Sequence, residues 1–205
     1  MTDAYRFDES STEQAIAYAK IYAGENYSPA METVLKVAFS EKRNLPTFRL
    51  KSSDTILLSG YMKKWVGAYL AGYNNRPSVR TGNCSGTHPD PMAKTILRAR
   101  ISGLEDNLAD KIVARHSLLM TIENNIGELL EEYLSVKLSP LGWYCCWGST
   151  IDAVDFCKAD GSLLQIKTSD NSENSSSSRV RQGTPIGKWF RRFSRRPGVY
   201  NRESL

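Results

Sequence analysis

Long apolar runs are missing from this chain. Nowhere do eighteen hydrophobic residues follow one another, so no segment reads as a membrane-spanning helix. Cysteine is sparse: Cys84, Cys145, Cys146 and Cys157 fit no zinc-binding spacing, and a chain of 205 residues has no evident need of a disulfide framework. Reduced thiols in a cytoplasmic protein are the expectation. Cys84 and His88 form a C-x3-H pair, but two ligands are too few to hold a metal, and His116 reads as a packed or exposed helical residue. A Gly-rich phosphate loop, a nucleophile elbow and an internal repeat are all absent. The opening residues, MTDAYRFDESSTEQ, are acidic and polar and do not read as a secretory signal. What remains is 40% hydrophobic, enough for a real core in one domain with or without an appendage.

Charge of one sign is concentrated at the end. Residues 174–205 hold eight Lys or Arg and one acid, Glu203, whereas residues 1–173 hold nineteen basic and twenty-one acidic residues. The whole excess behind the net charge of +5 therefore lies in the last stretch. A cluster of this kind attracts polyanions, nucleic acid first; alone it also describes a solvated tail. NSENSSSS, residues 171–178, reads either as a linker or as a phosphate-facing loop, because small hydroxyl and amide side chains donate to phosphate oxygens.

The first half is helical in pattern. Ala15, Ala17, Tyr18, Ile21 and Tyr22 recur at helical spacing, and residues 31–39 form a second apolar face. After a break containing Pro46, a helix is expected from Asp54 as N-cap through ILLSGYMKKWVGAYLAGY. Residues 74–91, dense in Asn, Gly, Ser and Pro, read as a long loop. Ser102 with Glu105 resembles a capping box opening the next helix, which runs to about Leu138 with a bend near His116 and stops at Pro140 and Gly142. The pattern then becomes β: GWYCCWG, STIDAVDF and SLLQIKTS, with Lys158-Ala-Asp-Gly161 as the turn between the last two. Trp143, Tyr144 and Trp147 read as core. Trp189, Phe190 and Phe193 make an apolar stripe that predicts a short helix over residues 186–193.

The residues that carry chemistry lie on the 151–167 hairpin, IDAVDFCKADGSLLQIK. Side chains alternate along a strand, so Gln165 and Lys167 share one face while Leu164 and Ile166 point to the other. An acid on the partner strand, an amide oxygen and a lysine can hold a divalent metal and a water beside a phosphodiester. Asp155 is preferred over Asp152, which falls on the opposite face of a regular strand. An ordinary cross-strand ion pair of Asp155 with Lys167 is the plainer alternative. Just before the sheet, ENNIGELLEEYL offers Glu123, Glu128, Glu131 and Glu132. With Ile126, Leu129, Leu130 and Leu134 as the buried face, Glu131 and Glu123 lie nearest its border, and Glu131 is the expected contributor.

Helix, strand, strand, strand, with an acid and a Gln-x-Lys pair on the hairpin, resembles the PD-(D/E)xK nuclease core. The resemblance implies an α/β fold, a mixed β-sheet flanked by helices with a helical N-terminal half. It makes Asp155 the leading carboxylate, puts Gln165 at the (D/E) position and makes Lys167 the lysine that orients the attacking water. Mg2+ would sit on Asp155, Gln165 and the main-chain carbonyl of Ile166. Glutamine departs from the pattern: an amide oxygen ligates Mg2+ without bringing charge, and a compensating acid is then expected. Gly127-x-x-x-Glu131 resembles the helix that lends such a carboxylate in archaeal Holliday-junction resolvases.

The longer run LLQIKTSDNSENSSSSRVRQGTPIGKWFRRFSRRPG, with ENNIGELLEEYL and IDAVDFC before it, resembles the SinI-type family of type II restriction endonucleases over roughly the second half of the chain. That resemblance implies Mg2+-dependent cleavage of double-stranded DNA at GGWCC, with W either A or T, and a cognate cytosine methyltransferase. A palindromic site asks for a two-fold dimer. Arginine reads guanine bidentately, so Arg179, Arg181, Arg191 and Arg192 are candidate base or phosphate contacts. Ser175, Ser176, Ser177, Ser178 and Lys188 suit phosphates. Residues 1–120 are expected as a helical region packed on a nuclease core of residues 121–205, in one structural domain. After SRRPG the chain reads VYNRESL and stops, which fits a shortened or frame-shifted relative. A repair or junction-resolving nuclease on the same core is the alternative among enzymes. A non-catalytic nucleic-acid-binding protein is the alternative outside them.

Overall fold

The computed structural model describes residues 7, 9–48, 57–80, 91–169 and 185–192. Among these, five α-helices precede and four strands follow: α1 Thr12–Ala23, α2 Pro29–Ser40, α3 Leu58–Asn74, α4 Pro91–Arg100, α5 Asp106–Leu138, β1 Trp143–Cys145, β2 Phe156–Lys158, β3 Leu163–Ser169 and β4 Ile186–Arg192. The sheet runs in the order β1-β2-β3-β4, antiparallel up to β3 and parallel between β3 and β4. This is a mixed α/β architecture, as expected. Residues 120 and 121, where the nuclease core is expected to begin, both lie within α5, one helix through His116.

Alternation on the strands sorts the core into two parts. Cys157 and Leu163, with Tyr144 and Ile186, share a cluster with Trp65, Tyr61, Phe39, Met31 and Leu35 from α2 and α3. Cys145, Phe156, Leu164 and Ile166 point to the other side and pack with Leu134 and Leu138 of α5, bordered by Leu130 and Trp189. The sheet thus lies between the N-terminal helices and α5. The buried stripe of α5 is Leu130, Leu134 and Leu138; Leu129, expected on that face, is turned to solvent.

Several local expectations are corrected. Helix α5 opens at Asp106 with Glu105 at the N-cap and no side-chain capping bond, so Ser102 and Glu105 form no capping box. The helix over residues 91–100 lay unmarked behind the long loop. Helix α3 begins at Leu58, and Asp54 lies outside the described residues. STIDAVDF is not a strand: Ser149 and Ala153 take positive φ values of 55° and 57°, and regular pairing begins only at Phe156. The Lys158–Gly161 turn is as expected, closed by Gly161 N–H to Lys158 O at 3.0 Å, with Gly161 at φ 87°. Residues 186–192 form a strand, not a helix. Pairing along β3 satisfies their backbone, and a seven-residue helix has too few internal bonds to compete.

The segment between β1 and β2 is held from below by α3. Gly72 and Gly148 meet backbone to backbone: a Cβ on Gly148 would overlap the Ala68 carbonyl, and one on Gly72 would overlap the Gly148 amide. Trp65 Nε1 donates to Thr150 O at 2.9 Å, and Asp152 N–H donates to Asn44 O at 2.9 Å. Tyr73 packs edge-on against Trp147.

This contact predicts a sharp contrast between two glycines, one in the bend and one on α3. Gly148→Ala, at φ 70° with no room for a methyl, should cost roughly 2–4 kcal/mol. Gly67→Ala meets nothing within 4 Å and should gain about 0.5–1 kcal/mol from helix propensity. Urea unfolding of the two variants beside the wild type checks both signs.

Candidate active site

Asp155 stands immediately before β2, in the bend that α3 supports. Its main chain is fixed on both sides: Cys146 N–H donates to its carbonyl at 2.8 Å, and its own N–H donates to Leu164 O at 3.0 Å. Its Oδ2 accepts the main-chain N–H of Ile166 at 2.6 Å. A carboxylate reaching from one strand to the backbone of the next is thereby aimed at the stretch that carries Gln165 and Lys167. A bend takes the place of the regular strand expected through Asp152 and Asp155, and of these two acids it is Asp155 that bonds to the Ile166 amide. Asp152 is exposed and its main chain is turned toward Asn44.

Gln165 is only 5% exposed, and its Oε1 has no hydrogen-bond partner among the described residues. A buried amide oxygen without a donor costs free energy, so its place calls for a cation or a water. Lys167, two residues on, is half-buried. Glu131 comes from α5, one turn before Leu134. Burial pushes its carboxyl up to about 7, the charge of Asp155 adds to the rise, and Lys167 opposes it. Glu131, Asp155 and Lys167 therefore sense one another, which brings the helix acid to the hairpin. Cys145, buried beneath, has its thiol pushed well up by desolvation, then by Glu131 and Asp155. Among the described residues no three His, Cys, Asp or Glu gather into a metal cluster. The donor set here is two acids and an amide.

The other acids of α5 are engaged elsewhere. Glu132 accepts from Ser78 through both the main-chain N–H, at 2.9 Å, and the hydroxyl, and pairs with Arg76 at 3.4 Å. Burial alone would raise the Glu132 carboxyl, but these bonds prevail and lower it. Glu128 pairs with Arg80. Sequence reasoning missed this clamp, because Arg76 and Arg80 stand far from Glu132 and Glu128 in sequence and no local pattern links them. Of Glu123's side chain nothing is described.

On β4, Lys188 pairs in register with Gln165 and Phe190 with Lys167, so Lys188 lies beside Gln165 on the same face, exposed. Arg191 falls on the opposite face with Trp189, and Arg192 pairs with Ser169. Gly187 lets the strands approach: a Cβ there would come within 3.3 Å of Leu163 O. Ser175, Ser176, Ser177, Ser178, Arg179 and Arg181 lie outside the described residues.

A family profile described as SinI restriction endonuclease matches residues 52–205. The chain is 46% identical over 115 residues to the type II restriction enzyme SinI of Salmonella infantis, a match covering 54% of this chain and 50% of that enzyme. It is 44% identical over 115 residues to the type II restriction enzyme Eco47I of Escherichia coli, with the same coverage. The chain thus spans about half the length of the curated relatives it matches. No helix among the described residues is long and apolar enough to cross a membrane.

The raised carboxyl of Glu131 gives a pH dependence with a definite sign. Its folded value, about 7, lies above that of an ordinary carboxylate. Between the two the folded state binds the extra proton, so stability falls as pH rises through that window, by up to about 3 kcal/mol. Melting of metal-free protein from pH 5 to pH 8 should show this fall, and Glu131→Gln should flatten it. An unchanged profile in the variant would place the titration elsewhere.

Proposed function

The chain belongs to the SinI restriction endonuclease family, and from that premise we propose that it is a type II restriction endonuclease. In this reading it hydrolyses phosphodiester bonds of double-stranded DNA at a short specific site, GGWCC, on a PD-(D/E)xK core. The observation that carries the reading is the mutual electrostatic influence of Asp155, Glu131 and Lys167, with Asp155 bonded to the Ile166 amide next in sequence to Gln165, whose buried Oε1 has no partner among the described residues.

The donor set fits a hard divalent cation. Asp155 and Gln165 supply oxygens, the main-chain carbonyl of Ile166 completes the strand's share, and Glu131 restores the negative charge that glutamine does not bring. Bound Mg2+ would polarise the scissile phosphate and offset charge developing on its oxygens. The chain's own groups account for the rest. Asp155 is held against β3 by the Ile166 N–H, so the acid and the lysine keep a fixed relation. The Lys167 ammonium orients a water for in-line attack. The water oxygen bonds to phosphorus as one P–O ester bond breaks; the water's proton passes to solvent or to a nearby carboxylate, and the departing ester oxygen takes a proton from solvent. Lys188, beside Gln165 on β4, lies where a flanking phosphate would be neutralised. The arginines of residues 179–192 are the proposed readers of guanine in the major groove. A palindromic target implies two copies, one cut per strand, and a cytosine methyltransferase would shield the host's own sites. The compartment is the cytoplasm, where the DNA is.

The reading predicts a separation of cleavage from binding. Asp155→Ala and Lys167→Ala should each lower the cleavage rate by at least about a hundredfold while DNA retention in gel-shift assays changes little. Wild-type protein with Mg2+ should cut a plasmid into discrete fragments ending at GGWCC. Unspecific nicking would point to a repair or junction nuclease. Full cutting by both variants would remove the site assignment.

A further inference from the structure

Helix α5 carries a second pattern on the side away from the sheet. Leu119, Ile122, Ile126, Leu129, Tyr133 and Val136 follow one another at alternating steps of three and four, the a and d positions of a heptad repeat. Ile126 is half-buried, and the other five are between 44% and 68% exposed. At 1.5 Å per residue the row is about 25 Å long. Leu134, Leu138 and Glu131 lie on the opposite side, toward the sheet. Scattered exposed leucines need no explanation, but six apolar positions in seven-residue register do.

We propose that this row is the seam along which two copies of the chain pair, α5 against α5. The pattern identifies the partner's form: knobs at a and d fit the holes of another helix with the same repeat. A second copy supplies that helix, and a two-fold pairing makes the surface self-complementary. The row contains no cation that would suit DNA. Of the undescribed segments, TGNCSGTHPD at residues 81–90 and DNSENSSSSRVRQGT at residues 170–184 are polar, and no undescribed segment carries an apolar heptad row that could cover it. Pairing on this side leaves Glu131 and Asp155 uncovered in both copies. The inference deepens the two-copy part of the proposed function and rests on that part, not on the chemistry of cleavage.

The test is the mass of the full chain in solution, by sedimentation equilibrium at micromolar concentration. Wild type should weigh twice 23.0 kDa, and Ile122→Glu combined with Leu129→Glu should halve that mass. A control, Ile21→Glu, changes an exposed apolar residue on α1 and should stay dimeric. Should the double variant fail to fold, Leu129→Cys in a Cys84→Ser background provides a second readout: mild oxidation should join two chains through that position, whereas Cys84→Ser alone, whose remaining cysteines are buried, should not be joined. A monomeric wild type, a dimer that survives both glutamates, or Leu129→Cys that does not cross-link overturns the seam. Plasmid cleavage is read in parallel. A dimer without cutting would sink the nuclease reading and leave the seam, whereas a monomer that still cuts would do the reverse.

Discussion

A single charge-assisted hydrogen bond, from the Ile166 amide to the Asp155 carboxylate at 2.6 Å, joins the two halves of the candidate site. It lies where regular pairing between β2 and β3 ends, and there the side chain takes over from the ladder as acceptor. The bond fixes Asp155 relative to Gln165 and Lys167 because it binds the residue between them. It depends in turn on the bend over residues 147–155, whose unusual backbone is held by α3 through the Gly72–Gly148 approach and the Trp65–Thr150 bond. The N-terminal helices are therefore part of the site's support. A methyl on Gly72, far from Asp155 in sequence, would still be felt there, since no slack separates the Gly72 and Gly148 backbones.

Electrostatics explain why an amide at residue 165 suits this arrangement. Residue 165 is almost wholly buried, and the Asp155 and Glu131 carboxylates already act on each other, the latter pushed up to about 7. A third carboxylate in the same volume would raise the others further or demand a second cation. In the proposed site, glutamine would keep a ligand oxygen at that place without the added charge, and Glu131 would provide the negative charge from another layer of the fold. Its raised proton affinity marks the tension that a divalent ion would relieve, because such an ion favours the ionised form.

The pairing of residue types was legible before any coordinates, for physical reasons. Alternation put Gln165 and Lys167 on one face, Leu164 and Ile166 on the other, and the core clusters bear that out. The turn at Lys158–Gly161 and the end of α5 near Leu138 followed from Gly and Pro chemistry. Membership of the family was legible in the same stretch. Three features were not. The bend before Asp155 looks extended in sequence, because positive φ at Ser149 and Ala153 is imposed by packing on α3 and leaves no glycine as a mark. The strand over residues 186–192 has an aromatic stripe compatible with a helix, and only its pairing with β3 decides the matter. The arginine clamp on Glu128 and Glu132 joins residues about fifty apart, beyond the reach of local pattern.

That clamp also clarifies how α5 divides its work. Around one helix, Leu130, Leu134 and Leu138 bury against the sheet, Glu131 turns to the hairpin, and Glu128 and Glu132 are tied to the turn after α3. Rotation of the helix about its axis is resisted by all three sets at once. Without the clamp, Glu132 would be one residue from Glu131 with nothing to hold it away, and either acid could swing toward Asp155. Holding Glu132 with Ser78 and Arg76 makes the choice of carboxylate a property of the helix's orientation. The same orientation leaves the heptad row pointing outward, so a partner that grips that row would stiffen the helix that presents Glu131. Pairing and site geometry are in this way two consequences of one angular setting of α5.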